Sequence, residues 1–116
     1  MDIAWIRKYC LSLPHTTETL QWGDNLVMKI GGKMYALVNT EPDEHWLAFK
    51  CSEEDFAELC EREGVVPAPY LARAHWVALE REDTIPRVEL KRLVRKGYDL
   101  VFAGLTKKAQ SALQVG

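Results

Sequence analysis

No apolar run in the 116-residue chain approaches the about 18 residues that a membrane-crossing helix requires, so no membrane partner is expected. The opening MDIAWIRKYC places Asp2 ahead of Arg7 and Lys8, which is not the order of a secretory leader. Cysteine is scarce. Cys10, Cys51 and Cys60 are odd in number and stand outside any CxxC spacing, so reduced thiols in a cytoplasmic setting are expected rather than a disulfide framework. Positive charge is not in excess either: 15 basic against 17 acidic residues give a net charge of −2, which argues against a protein built mainly to hold polyanions. Repeats, low-complexity tracts and linkers are absent, and one domain over residues 1–116 is expected, with 109–116 frayed.

The spacings that carry catalysis or metal binding are missing as well. His15, His45 and His75 form no HxxxH or HExxH pattern, alone or with the cysteines. Glu41, Asp43 and Glu44, and then Glu53, Glu54 and Asp55, lack the glycine turn of a calcium loop and read as solvated acidic patches. A Cys51–His75 pair on adjacent strands is the least unfavourable nucleophile and base, but no carboxylate or oxyanion hole is marked beside it. The expectation is a non-enzyme with no cofactor and no metal.

What is present is an orderly α+β pattern. Ile3, Ile6, Cys10 and Leu13 recur at helical spacing over residues 2–13, with Asp2 to cap and Pro14 to stop the helix. HTTET reads as a loop, and QWGDN brings Trp22 to the first strand. LVMKIGGKMYALV then predicts a hairpin: strands Leu26–Ile30 and Lys33–Val38 flank Gly31-Gly32, the residues that tolerate the positive φ of a primed turn. WLAFKC predicts a third strand with Leu47, Phe49 and Cys51 on one face and Trp46, Ala48 and Lys50 on the other. Ser52 caps a helix with a Phe56, Leu59 and Cys60 stripe, ended by Gly64. HWVALE is one more strand, EREDT a charged turn.

From Pro86 to Leu105 a single helix is expected. Leu90, Leu93, Val94, Gly97, Tyr98, Leu100, Val101, Gly104 and Leu105 share one face, and Lys91, Arg92, Arg95 and Lys96 lie opposite. Gly97 faces inward, where a missing side chain lets the helix approach the sheet. Antiparallel strands with helices on one face make a two-layer α+β sandwich.

Charge is unevenly spread. Residues 1–86 carry a net of −7 and residues 87–116 a net of +5. The candidate phosphate contacts are Lys29 and Lys33 beside the hairpin tip, Lys50, Arg73, and the helical set Lys91, Arg92, Arg95 and Lys96. Lysines on hairpin arms also guard a sheet edge against aggregation, which is the plainer role for Lys29 and Lys33. In PAPYLARAHWVAL the prolines mark the approach to a strand. There His75 reads as a structural hydrogen-bonder and Trp76 as a cover for one sheet face.

The segments WGDNLVMKIGGKMYALV, WLAFKC, PAPYLARAHWVAL and IPRVELKRLVRKGYDLVFAGLTKK together resemble the MmcQ/YjbR family over nearly the whole chain. The signature positions are Trp22, Gly32, Tyr70, His75, Trp76 and Tyr98. The resemblance implies an α-β(3)-α-β(2)-α fold similar to type III secretion chaperones, with a second short strand near Val65–Tyr70. It also implies DNA binding through a "double wing" of hairpins, the family's common label, with no catalytic residues. Gly97 departs from the serine frequent before the tyrosine. The alternative is a protein-interaction or chaperone-like module, binding a protein partner or acting as a homodimer without nucleic acid.

Overall fold

The computed structural model describes residues 2–41 and 44–115; Asp43 of the expected acidic patch lies outside the described residues. Helix α1 (Ala4–Ser12) starts where the Asp2 carboxylate accepts the Ala4 amide, 3.0 Å away, and stops two residues before Pro14. HTTET is a loop only as far as Thr16. Thr17–Gln21 form β1, an edge strand paired in register with β2 from Thr17↔Lys29 to Gln21↔Asn25. Its residues are mostly exposed on both sides, so no hydrophobic alternation announces it. Neighbours hold it: Arg7 of α1 grips Glu18 with two bonds of 2.7 and 2.9 Å.

The hairpin forms as expected. β2 (Asn25–Ile30) and β3 (Lys33–Asn39) turn at Gly31 and Gly32, with φ of +60° and +80°. The register slips between Met28 and Lys29, so Met28 faces Ala36 and Lys29 faces Met34. Tyr35 is the extra residue of this bulge, and both Tyr35 and Ala36 are buried in the helix-side core.

β4 (Leu47–Lys50), β5 (Val65–Pro67) and β6 (Trp76–Leu79) complete an antiparallel sheet ordered β1-β2-β3-β4-β6-β5. The fold therefore has four strands, not three, before its second helix. That helix, α2 (Glu53–Leu59), begins where Ser52 Oγ accepts the Asp55 amide at 3.0 Å. It ends at Leu59, ahead of Gly64, whose φ of +86° serves the later turn into β5.

Helix α3 (Arg87–Ala103) runs unbroken through Gly97, with Leu90, Leu93, Val94, Gly97 and Tyr98 buried. Pro86 stands before its first turn rather than in it, and Leu100, expected inside, is 40% exposed. Residues 109–115, expected to fray, instead belong to α4 (Lys107–Val115), and Gly116 lies outside the described residues. Gln110 anchors α4 by donating to the carbonyls of Phe102 (3.0 Å), in the last turn of α3, and of Leu105 (3.1 Å), in the turn that follows.

The helices cover one sheet face. Ile6, Cys10, Leu59, Leu90, Leu93, Val94 and Tyr98 pack there on Met28, Ile30, Val38, Leu47, Phe49, Val77 and Leu79. Each fully buried aliphatic side chain contributes about 1.5–3 kcal/mol relative to exposure. Trp46 joins this layer rather than the Ala48 face: it precedes β4, lies 6.2 Å from Trp5 and donates its indole N–H to the Arg81 carbonyl at 2.8 Å. Tyr98 secures α3 by donating to the Pro14 carbonyl at 2.6 Å and meeting Tyr35 edge-on at 5.3 Å.

Candidate nucleic-acid interface

The opposite sheet face is only half covered. Ala48, Trp76 and Ala78 of β4 and β6 lie under Ala68 and Leu71, with Met34, Leu37 and Val66 packed around them. The covering segment leaves β5 at Pro67, returns through an Ala68 amide bond to the Trp76 carbonyl (3.0 Å), and makes a short 3-10 turn at Ala72–Ala74. His75, at φ +60°, closes that turn and delivers the chain to Trp76, so it stands before the strand rather than in it. Trp76 is buried on this face, as expected.

Between this shelf and the β1–β2 turn runs a groove of about 560 Å³, lined by Trp22, Asn25, Met34, Leu37, Tyr70 and Leu71. Past Met34 and Leu71 it meets a depression bordered by Lys33, Lys50 and Ala74; past Asn25 and Leu37 it reaches Asn39, Glu44 and His45. Trp22 and Tyr70 face solvent on opposite banks, 65% and 104% exposed. Their φ values are +50° and +66°. Holding a non-glycine residue in that region costs of order 1–3 kcal/mol, a strain that clusters at binding sites.

The cations divide into two groups. Lys29 pairs in register with Met34 and so belongs to the open face; Lys33 and Lys50 border one end of the groove, and exposed Arg73 adjoins Ala74. The Lys50 ammonium donates to the Ala74 carbonyl, while Lys29, Lys33 and Arg73 make no ion pair among the described residues.

The helical set lies on the other layer and is engaged locally. Lys96 pairs with Asp55 at 2.7 Å, Arg95 with Asp99 at 3.2 Å while covering the Tyr98 ring, and Lys91 covers Tyr9. Arg92 borders a cleft shared with Asp55, Glu58, Arg62 and Glu89. Thus Trp22 and Tyr70 line the groove, and Lys33 and Lys50 border the depression between its end and the Leu100–Gly104 end of α3. Lys29 lies on the open face by its register, exposed Arg73 adjoins Ala74, and Lys91, Arg92, Arg95 and Lys96 lie on the helical layer.

The thiol–imidazole pair does not form. Cys51 Sγ contacts the His75 backbone carbonyl at 3.2 Å, and the His75 ring packs on Phe56 at 5.6 Å between centroids. Burial pushes the Cys51 thiol up to about 12, holding it protonated and poorly nucleophilic. Among the described residues no three His, Cys, Asp or Glu side chains converge as a metal site. No helix among them is long and apolar enough to cross a membrane. Met34, Leu37 and Leu71 were not singled out by sequence, since any strand or core supplies such residues; the turn positions of Trp22 and Tyr70 beside Gly23 and Pro69 were the available signal.

The architecture is thus a two-layer α+β module that presents a grooved, half-open sheet face. Residues 11–100 match the YjbR family model, and the chain belongs to the YjbR family. A Deinococcus radiodurans protein with the DUF419 domain is 33% identical, with a TM-score of 0.82 over 94% of this chain and 85% of that one. A Pseudomonas syringae protein, 18% identical, shares the fold with a TM-score of 0.70 over 86% and 98% of the two chains. No functionally curated protein matches.

Proposed function

We propose that the protein is a non-catalytic nucleic-acid-binding module whose interface is the open sheet face. The observation behind this is that Lys33 and Lys50 border a depression that meets, at Met34 and Leu71, the groove lined by the solvent-facing Trp22 and Tyr70. Lys29 lies on the same sheet face and Arg73 is exposed beside Ala74, in a molecule otherwise net acidic. Cations placed so would hold phosphates and release counterions. Raised thiol pKa values and the displaced His75 ring speak against nucleophilic chemistry, and free Cys10, Cys51 and Cys60 fit a reducing cytoplasm. A protein ligand is the second reading, favoured by the apolar floor of Met34, Leu37 and Leu71.

Titration of a labelled oligonucleotide against salt tests the proposal. Four phosphate contacts give a slope of about −3 in log affinity against log salt. Lys29→Glu with Lys33→Glu should abolish binding, while Lys91→Glu with Arg92→Glu leaves it within about threefold. No binding at low salt, together with recovery of a protein partner insensitive to nuclease, overturns it in favour of the second reading.

A further inference from the structure

We infer that the strand held on this face is single, its bases stacked on Trp22 and Tyr70 and its phosphates held by Lys29, Lys33, Lys50 and Arg73. This rests on the nucleic-acid proposal above and fixes the class of its ligand. In a duplex each base is covered above and below by its neighbours, and only edges face a groove; an aromatic ring on a protein surface finds a base to stack on only where the strand is unpaired. Trp22 and Tyr70 are the two most exposed aromatic side chains at the groove, on opposite banks of a space of about 560 Å³. Both residues also hold positive φ, +50° at Trp22 and +66° at Tyr70, a strained backbone of the kind that clusters at binding sites.

The hairpin is also poorly built to enter a duplex groove. Its tip packs on the turn between α3 and α4: a Cβ on Gly31 would stand 2.6 Å from a Leu105 methyl. A ribbon held against the body at its tip has less free surface to offer a major groove, which admits a ribbon standing clear. The charges are arranged to match a single backbone. Lys33 and Lys50 border the depression at one end of the groove, Lys29 lies on the same face across from Met34, and exposed Arg73 precedes Ala74 of that depression. The other end offers Asn25, Asn39 and His45 beside Glu44. Phosphate is attracted to the first end. At the second, the amides can meet base edges, and Glu44 repels backbone charge.

The probes are labelled oligothymidylate and a duplex of equal length, titrated by fluorescence anisotropy at low salt. Oligothymidylate should bind at least about tenfold more tightly than the duplex, and Trp22→Ala and Tyr70→Ala should each weaken it by about tenfold or more. Trp22→Phe and Tyr70→Phe should retain most of the affinity, and circular dichroism should show all four variants folded. Duplex binding of equal or greater strength, or single-strand binding indifferent to both alanine variants, overturns the inference while leaving nucleic-acid binding in place. Failure of both probes at low salt removes the inference and the proposal beneath it together.

Discussion

The carbonyl oxygen of Lys50 occupies the space a side chain would take on Gly97: a Cβ there would lie 2.2 Å from it. Real Cβ atoms do not approach a carbonyl so closely, so α3 can cross the end of β4 at this distance only with glycine. Gly97→Ala is expected to lower stability by about 3 kcal/mol, at or above the usual range for overpacking, as read by urea denaturation. An unchanged midpoint would mean that α3 shifts at little cost.

Tyr98→Phe removes the hydroxyl bonded to the Pro14 carbonyl but keeps the ring against Tyr35. A loss of about 1 kcal/mol is expected by the same measurement. Tyr98→Ala should cost about 3–5 kcal/mol, because the ring's packing goes too.

The buried thiols make stability fall in alkali. Burial raises Cys10 and Cys51 from 9.0 to about 12 each, so folding disfavours the thiolate. Their contribution is complete below about pH 9, where folded and unfolded states both hold the proton, and is lost as pH rises from about 9 toward 12. Unfolding titrations across that range should show a decline that is shallower in Cys51→Ala. A disulfide-exchange reagent at neutral pH should modify Cys60, only partly buried, before Cys10 or Cys51.

Gln110→Ala should loosen α4. Without the amide that meets the Phe102 and Leu105 carbonyls, backbone amides over residues 107–115 should exchange faster, with a global loss of about 1 kcal/mol or less. Equal protection in both proteins would show that α4 is held by other contacts, the packing of Leu113 on the core and the Thr106 hydroxyl that accepts the Ala109 amide at 3.1 Å.

Periodic elements were legible in the sequence. The glycine hairpin, the Ser52 cap and the unbroken course of α3 each follow from a local preference that tertiary structure did not override. β1 was not legible, because TETLQ buries no consistent face and is made a strand by its pairing with β2. Trp46 escapes the strand alternation because it precedes β4, where side chains no longer alternate between the two faces. The site was half legible. Charge placement picked out the cations, and the family resemblance the Trp22 and Tyr70 signature positions. Their meeting depends on where residues 68–75 cross the sheet, a long-range fact with no local pattern.

The two rims of the sheet are unequal. On one side β5 is three residues long and ends in Pro67, which has no amide hydrogen to offer. On the other, β1 leaves a five-residue backbone edge outside its pairing with β2. Any further strand, from a second copy or a misfolded neighbour, can therefore be added in one direction only. Growth by strand addition has a polarity written into the fold, and its growing end is the polar stretch Thr17–Gln21.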